Sequence, residues 1–254
     1  PKPVTEEKAF PPQQFTMNIL FVAALFGIAG AKLFDVIEHL DDFFADPIGT
    51  LFSFSGLAFY GGLIVAAFAV IIYTRRLGIP PAQIADVAAP ALMIAYAVGR
   101  IGCQISGDGC WGVPNPDPKP EWLTFLPDWM WAFDYPHNVI NEGVRITDCH
   151  GDHCFVLEQP VFPTPLYETL ICTLFFLILW GIRKRLTVPG MLFGIYLMMN
   201  GAERFLIESI RVNIRYDLAA GFRATQAETI AVGLFATGLV VVVWVWKMHK
   251  KKSR

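Results

Sequence analysis

The sequence predicts an all-α membrane protein of about six transmembrane helices with a small extramembrane lobe. Of its 254 residues, 54% are hydrophobic and only 17% are charged, which is more apolar than a typical soluble domain. Several apolar runs approach the roughly 20 residues that a helix needs to cross a bilayer. We therefore expect residues 1–254 to form a single integral membrane domain, with residues 107–163 as a lobe between the third and fourth spans.

Six apolar runs are long enough to be candidate spans. They cover residues 15–34, 51–73, 84–105, 165–182, 188–210 and 227–246. Pro47 and Gly49 are expected to break the chain before the second run, because both residues interrupt helices. Asp86, near the start of the third run, is expected to favour the positive end of that helix. Thr225 and Glu228 form a capping box that predicts the start of the last helix after a loop.

The segment 107–163 contains no apolar run and is rich in Pro, Asp, Asn and Trp, which predicts an extramembrane lobe. The stretch from Cys149 to Cys154 contains two histidines and an aspartate, but its spacing matches no usual zinc pattern. A disulfide is therefore the preferred interpretation, and Cys149 has either Cys154 or Cys110 as its partner. We expect no metal and no cofactor.

Basic residues predict how the chain is oriented in the membrane. The pair at 75–76, the cluster at 183–185 and the tail at 247–254 all lie on one side if there are six spans. The positive-inside rule makes that side cytoplasmic and places the lobe outside. Arg211, Arg215 and Arg223 are exceptions on the outer side: either they are tolerated there, or they meet an anionic ligand such as a phospholipid headgroup. Nothing in this charge pattern suggests nucleic-acid binding.

Residues 99–112 contain the first candidate site. Arg100 follows an apolar run directly, and an arginine at the edge of a span is costly unless it faces a partner, a cavity or a ligand. The glycines of this stretch allow close approach of backbone to a neighbour. The segment therefore predicts the wall of a polar site inside a membrane protein.

The fifth apolar run contains a second candidate site. Asn200, Arg204 and Glu208 are spaced by four residues and share one helical face, with Arg211 three residues further on. Arg204 and Glu208 form either an internal ion pair alone or part of a cavity that Arg100 also faces. Two intramembrane arginines favour the second interpretation, and a guanidinium can bind a phosphate through two parallel hydrogen bonds.

Taken together, the motifs resemble those of the prolipoprotein diacylglyceryl transferases. The matching segments are GLAFYGGL at 56–63, Asp86 with Ala89-Pro90, GRIG at 99–102, WG at 111–112, PTPLYE at 163–168, and ERFLIE at 203–208 with Arg211. They extend over nearly the whole chain. No single segment is specific, but their order and separation make coincidence improbable.

This resemblance implies a multi-pass enzyme of the bacterial inner membrane that begins lipoprotein maturation. Such enzymes move a diacylglyceryl group from phosphatidylglycerol to the lipobox cysteine thiol of a prolipoprotein signal peptide, and they release glycerol phosphate. The lobe would then be periplasmic and the C-terminus cytoplasmic. Family members usually have seven spans, so the count of six leads us to expect that a first span is missing.

The resemblance also implies roles for individual residues. Arg100 and Arg204 would be catalytic or bind the headgroup, with Glu208 orienting Arg204, and Tyr60 and Asp108 are further catalytic candidates. The implied substrate-binding residues are Gly61, Gly62, Cys103, Ser106, Tyr167, Asn200, Glu208 and Arg211. The two glycines are equally well explained as a contact between helices.

The chain also departs from the family pattern. Tyr60 stands where many members have histidine, Cys103 and Ser106 replace asparagines, and Asp108 approximates a glutamate. Further departures are Phe162 for a histidine and Asn200 for a tyrosine. The general base is therefore unassigned, with Tyr60, Asp108 and His137 as candidates.

The departures motivate an alternative function. The chain would then be a non-catalytic relative that binds phospholipid or serves as an accessory subunit of a larger membrane complex. A small-solute transporter is a weaker alternative, because the spans contain no visible internal repeat.

Overall fold

A computed structural model describes residues 12–53, 58–211, 215–218 and 222–252. Within these ranges the chain forms eight α-helices: α1 (Pro12–Glu38), α2 (Leu40–Ala45), α3 (Pro47–Phe52), α4 (Phe59–Arg76), α5 (Pro81–Ser106), α6 (Thr164–Ile182), α7 (Met191–Glu208) and α8 (Gln226–Lys252). The named strands form two short antiparallel hairpins, β1 (Val144–Arg145) with β2 (Phe155–Val156) and β3 (Arg215–Leu218) with β4 (Phe222–Thr225). The predicted all-α class is confirmed.

Four helices, namely α1, α5, α6 and α8, are long and apolar enough to cross a membrane, which confirms a polytopic membrane protein. Large apolar side chains are exposed along such helices; Phe21 of α1 is 69% exposed and Trp244 of α8 is 62% exposed. Apolar side chains exposed in this way are favourable in contact with lipid and unfavourable in contact with water. The other two expected spans are helices of 18 residues each, α4 and α7, and their crossing stays a prediction.

The first two predicted runs have different boundaries in the structure. Helix α1 continues beyond Phe34 because Lys32 and Asp35 are both buried and form an ion pair of 2.9 Å, which offsets the cost of their charges. The predicted break at Pro47 is confirmed, since α2 ends at Ala45 and a new helix begins at Pro47, but Gly49 lies inside that new helix and does not break it. Proline fits the first turn of a helix, and Pro47 begins α3 there, while the Asp46 side chain caps that helix by accepting from the Gly49 amide at 2.9 Å.

The chain divides into two compact units, residues 1–84 and residues 85–254. In the first unit α1 packs closely against α4. A Cβ atom on Gly61 would lie 2.7 Å from the Gly30 carbonyl oxygen, and one on Gly62 would lie 2.9 Å from the Gly27 carbonyl oxygen. The helix contact therefore accounts for both glycines, and their predicted substrate-binding role stays a prediction. The prediction of a single domain over residues 1–254 likewise stays a prediction.

In the second unit α5, α6 and α7 share an apolar core. Its fully or almost fully buried members are Ala89, Met93 and Ala97 of α5, Cys172 and Leu179 of α6, and Leu192 of α7. Helix α8 packs antiparallel along α7, since Gly194 lies beside Gly238 and Gly201 lies beside Ala231. The predicted capping box starts α8, with Thr225 and Glu228 exchanging hydrogen bonds of 2.9 and 3.0 Å.

Asp86 plays a different role from the one the sequence suggested. It lies beyond the first turn of α5, and its two carboxylate oxygens accept from the amides of Gly190 at 2.7 Å and Phe193 at 2.8 Å, at the start of α7. Asp86 therefore caps α7. The contact fixes the N-terminal ends of α5 and α7 beside each other.

The predicted lobe contains β1, β2 and two short 3-10 helices, Glu121–Leu123 and Asp128–Met130. The predicted disulfide is present, and it joins Cys149 to Cys154, one of the two partners that the sequence left open. Two hydrogen bonds tie the lobe to α6: the Tyr167 hydroxyl donates to the Met130 carbonyl at 2.9 Å, and the Thr164 hydroxyl donates to the Cys110 carbonyl at 2.8 Å. The lobe therefore lies at the N-terminal end of α6. The stretch expected to be a loop before Thr225 instead includes β3 and β4.

Candidate functional site: an arginine–glutamate cluster

Glu168, in the second turn of α6, is the centre of a charged cluster. It is fully buried, and its Oε2 atom lies 2.6 Å from Nε of Arg100 and accepts a hydrogen bond of 2.8 Å from the Tyr96 hydroxyl, both on α5. Its Oε1 atom lies 3.9 Å from Arg211, beyond hydrogen-bonding distance. Glu168 therefore links two arginines that are far apart in the sequence.

The backbone around Gly112 brings Arg211 to this position. Gly112 pairs with Arg211 in an isolated β-bridge, its amide donates to the Phe162 carbonyl at 2.9 Å, and the next amide, of Val113, donates to the Ile210 carbonyl at 2.9 Å. A Cβ atom on Gly112 would lie 2.6 Å from the Ile210 carbonyl oxygen, so only glycine permits this approach. The short segment after α5 thus holds the ends of α6 and α7 together.

The predicted polar face of α7 is present. Arg204 lies 3.5 Å from Glu208, one helical turn away, and Glu208 is buried. This is the ion pair that the spacing suggested. Asn200 lies one turn earlier on the same face and is half-buried.

The sequence predicts that Arg100 and Arg204 face one cavity. In the structure, these two arginines form ion pairs with different glutamates. The ion pairs connect Arg100 with Arg211 through Glu168, whereas Arg204 pairs with Glu208. Glu203, also on α7, interacts electrostatically with Glu168 and with all three of these arginines. We call Arg100, Glu168, Glu203, Arg204, Glu208 and Arg211 the arginine–glutamate cluster.

Glu203 has an unusual environment within this cluster. It is fully buried, and neither of its carboxylate oxygens has a hydrogen-bond partner within the described part of the chain. A buried carboxylate without hydrogen bonds is costly when ionised. The guanidinium groups around it reduce that cost but do not replace the missing hydrogen bonds.

Three other predicted site residues lie where α5 ends. Cys103 and Ser106 are in the last turns of α5 and are half-buried, and Asp108 follows in the loop and is exposed. Arg100 contacts the Cys103 sulfur at 3.7 Å. Within the described ranges, Cys103, Asp108 and Cys110 are also the group whose metal-ligating atoms lie within 4.8 Å of one another.

The surroundings of Asp108 affect its value as a general base. Burial acts to raise the pKa of Asp108, but hydrogen bonds from the thiols of Cys103 and Cys110 and from the Cys110 amide outweigh it and hold the pKa below its ordinary value. A carboxylate with a lowered pKa is a weaker base. Asp108 is better suited to hold a cation or a donor than to remove a thiol proton.

The remaining candidates lie in different surroundings. Tyr60 is on α4 in the first unit and is 57% exposed. His137 lies in the lobe, where its Nδ1 atom is 2.9 Å from the His153 carbonyl oxygen. Tyr167 of α6 donates to the lobe backbone, as described above. None of these positions assigns a general base.

Tyr96, Glu168 and Glu203 are members of the site that were missing from the candidates chosen from the sequence. Glu168 belongs to the PTPLYE segment, but an acidic residue near a helix N-terminus is already explained by the helix dipole. The sequence signal that could have found Glu168 is the presence of a carboxylate within an apolar helix. Tyr96 lies one helical turn before Arg100, and its ring centroid is 5.0 Å from the guanidinium carbon, a contact that spacing alone does not distinguish from core packing.

Comparison with known proteins identifies the family. The family model for prolipoprotein diacylglyceryl transferase matches residues 4–244, which is almost the whole chain. The chain belongs to the prolipoprotein diacylglyceryl transferase family.

Curated relatives agree with this assignment. Proteins named phosphatidylglycerol–prolipoprotein diacylglyceryl transferase include one from Leptospira interrogans that is 30% identical over 77% of this chain and 61% of its own length. The relative from Dehalococcoides mccartyi is 28% identical over 93% of this chain and 78% of its own length. The relative from Symbiobacterium thermophilum is 31% identical over 86% of this chain and 72% of its own length. The chain thus spans about 61% of the length of the Leptospira relative.

Proposed function

We propose that this protein transfers a diacylglyceryl group from phosphatidylglycerol to the lipobox cysteine of a prolipoprotein signal peptide. Membership of the family and the names of the relatives supply the reaction. The observation on which the proposal depends is the arginine–glutamate cluster, in which Glu168 holds Arg100 and Arg211 beside the end of a span. A lipid headgroup lies at that depth of a bilayer.

The reaction requires two things from the protein. The cysteine sulfur attacks the glyceryl carbon that carries the phosphate; a carbon–sulfur bond forms, the carbon–oxygen bond breaks, and glycerol phosphate leaves. The thiol must lose its proton first, because the thiolate is the nucleophile. The phosphate gains negative charge as it leaves, so cations placed beside it stabilise the transition state.

The arginines of the cluster are suited to stabilise the negative charge of the leaving phosphate. Glu168 pairs with Nε of Arg100 and Nη1 donates to the Cys103 sulfur, which leaves the N–H groups of Nη2 to bind a phosphate oxygen. Arg204 and Arg211 are half-buried and also belong to the cluster. We assign phosphate binding to Arg100 and Arg204, and we assign to Glu168 and Glu208 the fixing of these arginines in place.

We also propose that the cluster lies on the periplasmic side of the inner membrane. In the second unit, the lobe and the cluster are at the C-terminal ends of α5 and α7. The basic residues after α6, at 183–185, and those at the end of α8 lie at the opposite ends of these helices. The positive-inside rule then makes the basic end, including the C-terminus, cytoplasmic.

The proposal is tested by complementation of a bacterial strain depleted of its own transferase. We expect Arg100→Ala and Arg204→Ala to abolish lipoprotein modification, because loss of a single transition-state hydrogen-bond donor commonly costs about 100-fold or more in rate. Arg185→Ala is the matched control, since Arg185 is an exposed arginine after α6. Growth restored by both cluster variants would disprove the assignment of these arginines.

A second assay distinguishes the enzyme from the non-catalytic alternative, which the substitution at Tyr60 and the other departures motivate. Purified protein is mixed with phosphatidylglycerol labelled in its acyl chains and a peptide that contains a lipobox cysteine. Transfer of label to the peptide supports the enzyme. Binding of the labelled lipid without transfer would support a phospholipid-binding or accessory role in a larger complex instead.

A further inference from the structure

Three side chains that can bind a metal ion meet just beyond the end of α5. The sulfurs of Cys103 and Cys110 and a carboxylate oxygen of Asp108 all lie within 4.8 Å of one another. Both cysteines are free thiols, because the described disulfide uses Cys149 and Cys154. We propose that Cys103, Asp108 and Cys110 bind a zinc-class divalent metal ion and leave its fourth coordination position open.

The local backbone explains how these residues come together. Gly107 and Gly109 have φ values of +61° and +85°, in the left-handed region that glycine adopts without strain. They turn the chain back after α5, so that Asp108 and Cys110 lie beside Cys103. The Asp108 carboxylate also accepts from the Cys110 amide at 3.2 Å, which closes the turn.

The donor set and its spacing suit zinc. Two thiolates and one carboxylate are zinc ligands, and sites with three protein ligands keep a position for an exchangeable group. Zinc bonds of about 2.0 to 2.3 Å in a tetrahedron place the ligand atoms roughly 3.3 to 3.8 Å apart. Side-chain movements of about 1 Å would therefore close the group around an ion. Asp108 is exposed and both cysteines are half-buried, so an ion can enter from the lobe side.

The surrounding charges are compatible with a bound cation. Arg100 lies 3.7 Å from the Cys103 sulfur, but its charge is already paired with Glu168. The six residues of the arginine–glutamate cluster carry three positive and three negative charges and sum to zero. Two thiolates, one carboxylate and a divalent ion sum to −1, so the ion offsets most of the negative charge of its own ligands. An N–H donor beside a ligand sulfur is also a common outer contact of metal sites.

The open position would have a use in the proposed reaction, and this part of the inference rests on the proposed function. The lipobox thiol would replace a metal-bound water, forming a metal–sulfur bond and giving its proton to solvent. A metal-bound thiol is deprotonated, so the ion would generate the thiolate beside the arginines that bind the phosphate. Thiol activation would then not depend on a side-chain base.

Cobalt(II) is the probe for this site, because its thiolate complexes absorb through thiolate-to-cobalt charge transfer. We expect the full chain, reduced in detergent and freed of reductant, to bind one cobalt ion with this absorption. Cys103→Ser and Cys110→Ser should lose the band, and Asp108→Asn should weaken cobalt binding about tenfold or more. Cys172→Ala, which removes a buried free thiol, and the double variant Cys149→Ala/Cys154→Ala should keep it.

The cobalt experiment measures metal binding and not diacylglyceryl transfer. A failure of the proposed metal site can therefore be distinguished from a failure of the proposed function. A reduced protein without the charge-transfer band, or a band that both serine variants retain, would overturn the metal site. The same holds if Cys103 and Cys110 are found bonded to each other and bind no cobalt after reduction. A band without any diacylglyceryl transfer would support the metal site while contradicting the enzyme. Transfer at an unchanged rate after metal removal would overturn the role of the open position.

Discussion

Glu168 and Glu203 are both fully buried in the arginine–glutamate cluster, yet their surroundings differ. Glu168 has a 2.6 Å contact with Arg100 and a hydrogen bond from Tyr96. Neither carboxylate oxygen of Glu203 has a hydrogen-bond partner among the described residues. We therefore expect Glu168→Gln to destabilise the protein by up to about 3 kcal/mol, since it leaves the half-buried Arg100 without its ionised partner. Glu203→Gln removes a poorly solvated charge and should leave stability unchanged or raise it.

Thermal unfolding of the purified protein in detergent measures this difference. Each variant keeps the size of its side chain, so the pair separates lost charge from lost packing. Glu158→Gln is the surface control, because Glu158 is exposed in the lobe. If the two buried variants lost stability equally, the cost would come from altered packing and not from the contacts of Glu168.

For individual residues, the sequence predicted which arginines belong to the site better than it predicted the residues that pair with them. Arg100, Arg204 and Arg211 stood out because arginine is rare in an apolar span, and the i to i+4 spacing correctly paired Arg204 with Glu208. The partner of Arg100 is 68 positions away on another helix, and periodicity within one helix carries no information about such contacts. Glu168 was missed for that reason.

Among the helices, α7 depends on a cap that comes from another element. Gly190 precedes α7 and has no side chain, so Asp86 of α5 supplies the acceptor for the amides of Gly190 and Phe193. We expect Asp86→Ala to cost about 0.5 to 2 kcal/mol, the range for loss of a helix N-cap. Thermal unfolding in detergent is the measurement. Asp117→Ala is the control, because Asp117 is exposed in the lobe; equal effects of the two changes would contradict the capping role.

The sequence predicted the start of a helix correctly where a local motif determines it. The capping box at Thr225 and Glu228 placed the start of α8 to within one residue, and α6 begins at Thr164, one residue before the predicted start. The start of α3 at Pro47 was missed because proline marks either a break or a first turn, and the Asp46 cap decides between them. The pairing of β3 with β4 was also missed, since nothing in their apolar pattern indicates it.

For the molecule as a whole, the number of membrane crossings depends on α4 and α7. Helix α7 has 18 residues, or about 27 Å at 1.5 Å per residue, close to the roughly 30 Å of a bilayer core. In the second unit its N-terminal end is fixed beside α5 by Asp86, and Arg211, just beyond its C-terminal end, reaches the glutamate that pairs with Arg100. The two ends of α7 are therefore held near the two ends of α5, which is a candidate span.

We accordingly expect α7 to cross the membrane, with the lobe on the opposite side from the C-terminus. Alkaline phosphatase, which is active only outside the cytoplasm, should be active when inserted at Gly151, an exposed lobe position. It should be inactive when fused after Arg185 or Lys252, and a fluorescent protein at those two positions should be bright. If α7 did not cross, residue 185 and the C-terminus would lie on opposite sides, and the lobe would share the side of the C-terminus. That result would remove the basis for placing the arginine–glutamate cluster at the periplasmic surface.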